Sequence, residues 1–290
     1  MALQWYPGHM TKARRELVEL MPSQDLVLEV IDARLPAAST NPLVTQLARD
    51  KPCIKVFTKS DLADPAVTRA WLDHILRGDP HDGRIAAFAT APERPQDTRK
   101  RLAELAARMG LHHTPDRPVR ALIVGVPNAG KSTLINVLMD RHVAKTSDKP
   151  AVTKVQQRVV LPTGMIVTDS PGLMWPRIEN EDGALRLALA GSIPDTAIDY
   201  LTIGMFGARI FLERYPALVV ARYKLAAVPA TAEALLFEIG RRRGGLRGGG
   251  KVDFHKASEI LVREFRQGFL GRISLETPGN AAPEPGALSQ

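Results

Sequence analysis

Cysteine is almost missing from this chain: Cys53 is the single one in 290 residues. That excludes an internal disulfide framework and agrees with a reducing compartment. Cys53 opens the apolar run 53–57, so a buried structural thiol is expected rather than a nucleophile. No apolar run is long enough to cross a bilayer. The first residues carry neither a signal-peptide core nor a long arginine-rich presequence, so a cytoplasmic protein without membrane business is expected. Acidic residues are in deficit, 31 against 39 Lys and Arg, which leaves a formal charge of +8. The surplus points to an anionic partner, with nucleic acid ahead of a merely solubilising surface. His112 and His113 have no evident partners and read as solvent-exposed. The length suffices for an α/β domain and a smaller second one.

The most informative stretch is 119–133, VRALIVGVPNAGKST. A short apolar run, 122–124, reads as a buried strand, and a helix is expected from Lys131. Between them Gly125, Gly130, Lys131 and Ser132 satisfy Gly-x-x-x-x-Gly-Lys-Ser. Backbone N–H groups of such a loop wrap a phosphate chain, and the helix N-terminus adds partial positive charge. Asn128, Ala129, Gly130, Lys131, Ser132 and Thr133 are therefore candidate nucleotide contacts. Lys131 reaches the terminal phosphates, and the Ser132 hydroxyl ligates Mg²⁺.

A nucleotide switch needs further parts. Asp169-Ser170-Pro171-Gly172 follows an expected strand, 165–168, which pairs with 155–161 as a hairpin. The Asp169 carboxylate is suited to hold Mg²⁺ through water, and the Gly172 N–H to touch the terminal phosphate. Thr153 lies between these loops and is a candidate second Mg²⁺ ligand in a segment that orders on binding. Thr58, Lys59, Ser60 and Asp61 follow the expected strand 53–57. A carboxylate accepts two hydrogen bonds from guanine's ring N–H and exocyclic amine, where adenine offers an acceptor at the first position and nothing at the second. The Lys59 stem would lie along the base. Ala91, after the expected strand 85–88, is a candidate backbone donor to the guanine carbonyl.

Elsewhere, Thr11 is a candidate cap for a helix running to Met21, with apolar Leu17, Leu20 and Met21. Lys12, Arg14 and Arg15 near its start oppose the helix dipole, which suits a partner contact as well as a solvated face. Asp32-Ala33-Arg34 ends the first expected strand, 26–31, and a polar loop follows Pro36. Helices are also expected over 43–48, 67–76 and 97–109. From residue 180 helical spacing takes over, at 185–190, 197–211, 231–239 and 257–270. RRRGGLRGGGK, residues 241–251, has little reason to fold. Its Arg241, Arg242, Arg243, Arg247 and Lys251 are candidate contacts to RNA phosphates, or else a solvated linker. The tail from Thr277 is expected to be disordered. The expected units are 1–178, 179–276 and the tail 277–290.

The set Thr58-Lys59-Ser60-Asp61, residues 125–132, Thr153 and Asp169–Gly172 resembles the Ras-like GTPases. The base reader precedes the phosphate loop, as in the circularly permuted members. Trp5 through Met10, Asp32 through Pro36, Phe254 through Ser258 and Gly271 through Leu275 narrow the resemblance to the GTPases that assemble the bacterial large ribosomal subunit. The resemblance implies an α/β, circularly permuted P-loop GTPase domain followed by an all-helical domain. It implies GTP and GDP, Mg²⁺ and K⁺ as cofactors, and a large-subunit precursor and its rRNA as partners of a monomer. Thr58 stands where Asn is more usual, and Ala151 where Gly often precedes the switch threonine. Leu173 takes the place of the glutamine that orients water in many Ras-like enzymes. Two residues are candidates for the missing task. His9 orients or deprotonates water, or else contacts rRNA. Asn128 binds K⁺ beside the phosphates, or else only shapes the loop. A GTPase acting on another RNA, or a low-turnover signalling switch, is the competing reading.

Overall fold

The computed structural model describes residues 8–48, 50–78, 84–114, 116–139, 158–175, 178 and 180–279. Its centre is a six-stranded sheet in the order β3-β2-β1-β4-β6-β5. The strands are β1 Leu26–Asp32, β2 Cys53–Thr58, β3 Ile85–Ala89, β4 Arg120–Val124, β5 Arg158–Val160 and β6 Ile166–Asp169. All neighbours are parallel except β5 and β6, the expected hairpin. Strands β1 and β2 are buried along their whole length, which is why they are largely apolar; the buried charges Glu29 and Lys55 pair across them at 3.6 Å. The Cys53 thiol is buried, and burial, with Glu29 nearby, pushes its pKa up to about 12. It is a packing residue, as expected.

Helices α1 Gly8–Leu20, α2 Pro36–Ser39, α3 Pro42–Leu47, α4 Pro65–Arg77, α5 Pro95–Arg108 and α6 Lys131–Met139 accompany the strands. Helix α1 starts three residues before Thr11, so Thr11 sits in its first turn and caps nothing. The buried side is Met10, Ala13 and Leu17. Helix α2 occupies what read as a polar loop; Pro36 supplies its first turn. His112 and His113 are exposed, as expected.

After β6 the chain is helical. Helices α7 Glu181–Ala190, α8 Tyr200–Arg214, α9 Pro216–Tyr223, α10 Ala232–Arg242 and α11 Phe254–Arg266 follow. Side chains of Asn180, Asp199, Thr231 and Asp253 accept the first free N–H groups of α7, α8, α10 and α11. Residues 271–276 return to the sheet side: Ile273 N–H donates to Leu62 O and Leu275 N–H to Arg34 O. Trp71 Nε1 donates to Glu276 O, at 3.3 Å. The expected boundary at 178/179 falls between β6 and α7. The tail from residue 280 lies outside the described residues.

The run 241–251 differs from its reading as an unstructured loop. Arg241 and Arg242 form the last turn of α10, where cations suit the helix dipole. Leu246 and Val252 then pair as a bridge. Asp253 N–H donates to Gly245 O at 2.7 Å, and Arg247 Nε meets Asp253 Oδ2 at 2.7 Å. Sequence patterning carried no sign of this, because the turn is held by backbone bonds and close glycine contacts rather than apolar side chains.

Candidate nucleotide site

The carboxyl ends of five parallel strands lie at one edge of the sheet, where open α/β sheets place ligands. Register puts Asp32 beside Thr58 and Ile123 beside Asp169. The ends of β2, β3, β4 and β6, the loops that follow them and the first turn of α6 carry every expected nucleotide contact except Thr153, which lies outside the described residues.

The loop after β4 runs into α6 as the sequence requires. Lys131 is buried at its start, and its Nζ donates to Gly125 O at 3.1 Å and Val126 O at 3.0 Å. Burial presses the ammonium down to about 8, against the attraction of Asp169. Asp169 is buried, and its Oδ1 meets no hydrogen-bond partner among the described residues. Burial lifts its carboxyl up to about 6, although Lys131 pulls the other way. A buried ammonium on its own loop carbonyls and a buried carboxylate with one oxygen unpartnered among the described residues suit an anionic phosphate chain and a divalent cation. Ser132 and Thr133, half-buried, follow on α6, and Ala129 is buried.

Gly172 completes this side. A Cβ there would lie 2.8 Å from Pro127 Cα and 3.2 Å from Lys131 Nζ. The loop after β6 therefore touches the phosphate loop at a point no side chain can occupy. Leu173 is buried; its N–H donates to Gly125 O at 3.2 Å, and its carbonyl accepts Asn41 Nδ2 at 2.9 Å. It braces the loop and presents nothing to a water.

On the other side, Thr58 Oγ1 donates to Ile31 O at 3.0 Å and also to Ala129 O. The threonine thus ties the expected base reader to the phosphate loop. Ser60 Oγ donates to Thr90 O at 2.9 Å, which fixes the reader against the turn that carries Ala91. The Asp61 carboxyl has a raised pKa, mainly through burial, with Glu93 adding to it, and its Oδ1 is buried without a hydrogen-bond partner among the described residues. Such an acceptor fits the paired donors of guanine.

Lys59 Nζ contacts Asp32 Oδ2 at 2.9 Å. Asp32 also takes a two-pronged contact from Arg34, Nε to Oδ1 at 3.0 Å and NH2 to Oδ2 at 2.8 Å. Burial would raise the Asp32 pKa, but Arg34 and Lys59 outweigh it and hold the carboxyl well below the usual range. The sequence reading gave Asp32 and Arg34 no task. An acid at a strand end with an arginine two residues on was the available signal.

Asn128 sits in the left-handed region, φ 57. Its Nδ2 donates to Gly191 O, beyond α7, at 2.8 Å. His9 falls in the first turn of α1, and its side chain lies outside what the structure describes. Lys12 pairs with Glu16 at 3.7 Å, and Arg14 and Arg15 are exposed.

A Gly-x-x-x-x-Gly-Lys-Ser loop after the fourth strand, with the Thr-Lys-Ser-Asp turn at the end of the second, gives the motif order of a circularly permuted GTPase. Residues 120–198 match the family model described as "50S ribosome-binding GTPase". Ribosome biogenesis GTPase A of Bacillus licheniformis is 39% identical over 285 residues, spanning 96% of this chain and 99% of that protein. Two solved structures are similar over nearly the full length. The GDP-bound structure of TM YlqF is 29% identical with a TM-score of 0.68, covering 92% of this chain and 100% of that one. GNP-bound YlqF from T. maritima is 30% identical with a TM-score of 0.65, covering 93% and 99%. The chain belongs to the ribosome biogenesis GTPase A family. It is a GTPase that binds guanine nucleotides.

Proposed function

We propose that this GTPase acts in assembly of the large ribosomal subunit, binding precursor particles through rRNA when GTP is bound. The observation that carries the nucleotide half is a pair of carboxylate oxygens, Asp61 Oδ1 and Asp169 Oδ1, each buried without a hydrogen-bond partner among the described residues, at opposite ends of one set of strand-end loops. Asp61 reads guanine, with Thr58, Lys59, Ser60 and Ala91 shaping the reader. Lys131 and the N–H groups of residues 128–133 hold the phosphates, and Gly172 N–H meets the terminal one. Ser132, Asp169 and Thr153 hold Mg²⁺, which supplies neutralisation of phosphate charge. Asn128 contributes to a K⁺ site there, and His9 orients the attacking water. Residues 1–178 form the GTPase unit and 179–276 the RNA-binding one. The protein works as a cytoplasmic monomer; no described helix is long and apolar enough to cross a membrane.

The rRNA half rests on exposed cations. Arg241 and Arg242 share Glu238, at 2.9 Å each, and Arg247 pairs with Asp253. Exposed pairs of this kind are weak, so phosphates can compete for the arginines. Arg243 and Lys251 are exposed beside them. Replacing Arg241, Arg242 and Arg247 with alanine is expected to weaken binding to large-subunit precursors about tenfold or more at physiological salt. It should also flatten the dependence of log affinity on log salt by about two to three. Sedimentation with purified particles, with GTP or a non-hydrolysable analogue, reads both. An unchanged slope contradicts the assignment of these arginines; no association in either nucleotide state contradicts the ribosomal reading.

A further inference from the structure

The carboxyl end of α7 is held in an unusual way. A helix leaves its last carbonyls without partners inside the helix. Here four successive carbonyls each receive a side-chain donor. Arg266 NH2 donates to Ala188 O at 2.8 Å, and Arg266 Nε to Leu189 O at 3.0 Å. Arg34 NH2 donates to Ala190 O at 3.5 Å. Asn128 Nδ2 donates to Gly191 O at 2.8 Å. The donors come from α11, from the end of β1 and from the phosphate loop.

The junction is shaped around Arg266. Gly191 is left-handed, φ 88, and a Cβ there would lie 3.2 Å from Arg266 Nε. Arg266 NH1 also meets Asp195 at 2.8 Å, so all three guanidinium nitrogens are engaged. The preceding residue, Phe265, lies under Arg34, whose guanidinium carbon is 4.8 Å from the ring centroid. Arg34 in turn grips Asp32, which touches Lys59. The last turn of α11 thereby reaches both halves of the nucleotide site through one helix end.

We infer that Arg266 is a positioning residue for GTP hydrolysis: it fixes the carboxyl end of α7 so that the Gly191 carbonyl orients the Asn128 amide in the phosphate loop. An amide has a donor end and an acceptor end. Tying the donor end to Gly191 settles where the acceptor end points. Asn128 also occupies the left-handed backbone region, φ 57, which asparagine adopts more readily than most residues, so the bond to Gly191 meets a side chain already presented by the loop. The inference rests on the proposed reading of Asn128 as a residue acting beside the phosphates.

The test uses the full-length protein with Arg266→Ala, Arg266→Lys, Arg263→Ala and Asn128→Ala. Single-turnover GTP hydrolysis is measured in K⁺ and in Na⁺, and GTP affinity with a fluorescent analogue. Arg266→Ala is expected to slow hydrolysis in K⁺ about tenfold and to reduce the K⁺-to-Na⁺ rate ratio, while GTP affinity changes less than about threefold. Arg266→Lys keeps the charge but not the fork, and is expected to fall between Arg266→Ala and wild type. Arg263 pairs with Glu259 on the same helix, and its replacement should hydrolyse as wild type. Hydrolysis within twofold of wild type in Arg266→Ala, with Asn128→Ala impaired, overturns the inference alone. So does a parallel loss of affinity and rate. If Arg266→Ala does not fold, a wild-type rate and cation ratio in Arg266→Lys overturn it equally. Wild-type hydrolysis in Asn128→Ala sinks both the inference and the reading beneath it.

Discussion

Changing Asp61 to Asn is expected to lower GTP and GDP affinity about a hundredfold or more. Asp61 is the orphan acceptor of the proposed base reader. A carboxylate offers two acceptors to the ring N–H and the amine of guanine. An amide offers one acceptor and one donor, so its N–H₂ would face the guanine amine donor to donor, with both groups out of water. That desolvated mismatch is what makes polar readers selective. The same amide suits xanthine, whose carbonyl replaces the amine, so affinity for xanthosine nucleotides should rise in the variant. Equilibrium titration with fluorescent guanosine and xanthosine diphosphates measures both. Thermal unfolding without nucleotide should change little, since Asp61 Oδ1 has no partner among the described residues to lose. Unaltered guanosine affinity would remove Asp61 from the base site and shift attention to its neighbours.

Gly172→Ala is expected to cut GTP hydrolysis about a hundredfold, the scale of losing one donor to developing charge. The added methyl would begin 2.8 Å from Pro127 Cα and 3.2 Å from Lys131 Nζ. Backbone on one side cannot yield without moving the phosphate loop, and the lysine on the other is the proposed phosphate contact. The loop after β6 must therefore back away, taking the Gly172 N–H from the terminal phosphate. GDP lacks the γ-phosphate that this N–H is proposed to meet, so GDP affinity should stay within about threefold of wild type. Single-turnover hydrolysis beside GDP titration separates these effects. Equal losses for GTP and GDP would show a general collapse of the phosphate loop instead.

Much of this was legible before any coordinates. The runs at 85–88 and 122–124 are apolar throughout, and those at 26–31 and 53–57 are apolar but for Glu29 and Lys55, which pair with each other at 3.6 Å, because strands inside a parallel sheet are covered on both faces. Turn chemistry and the Gly-Lys-Ser spacing then fixed where phosphate-binding loops leave the strands. What escaped depends on partners far away in the chain. Helix α2 is only four residues, held in part by Glu276, whose Oε1 accepts the Ala38 N–H. Helix α9 begins at Pro216, one residue after α8, and lies outside the expected stretches 197–211 and 231–239. The folded turn at 245–252 has no apolar signature. The grip of Arg34 on Asp32 is local and readable in hindsight, but its reach to Ala190 and Phe265 spans most of the sequence. Asn128 was read for its place in the phosphate loop; the bond to Gly191 is a tertiary fact. The proposed roles of His9 and Thr153 rest on the sequence, since the His9 side chain and Thr153 lie outside the described residues.

The account depends above all on the strand-end loops choosing guanine. Isothermal titration of the nucleotide-free protein with GTP and with ATP, in Mg²⁺ and K⁺, examines that choice directly. GTP is expected to bind at least about a thousandfold tighter than ATP. Comparable affinities would mean that Asp61 reads no base, and the assignment of the site would fall.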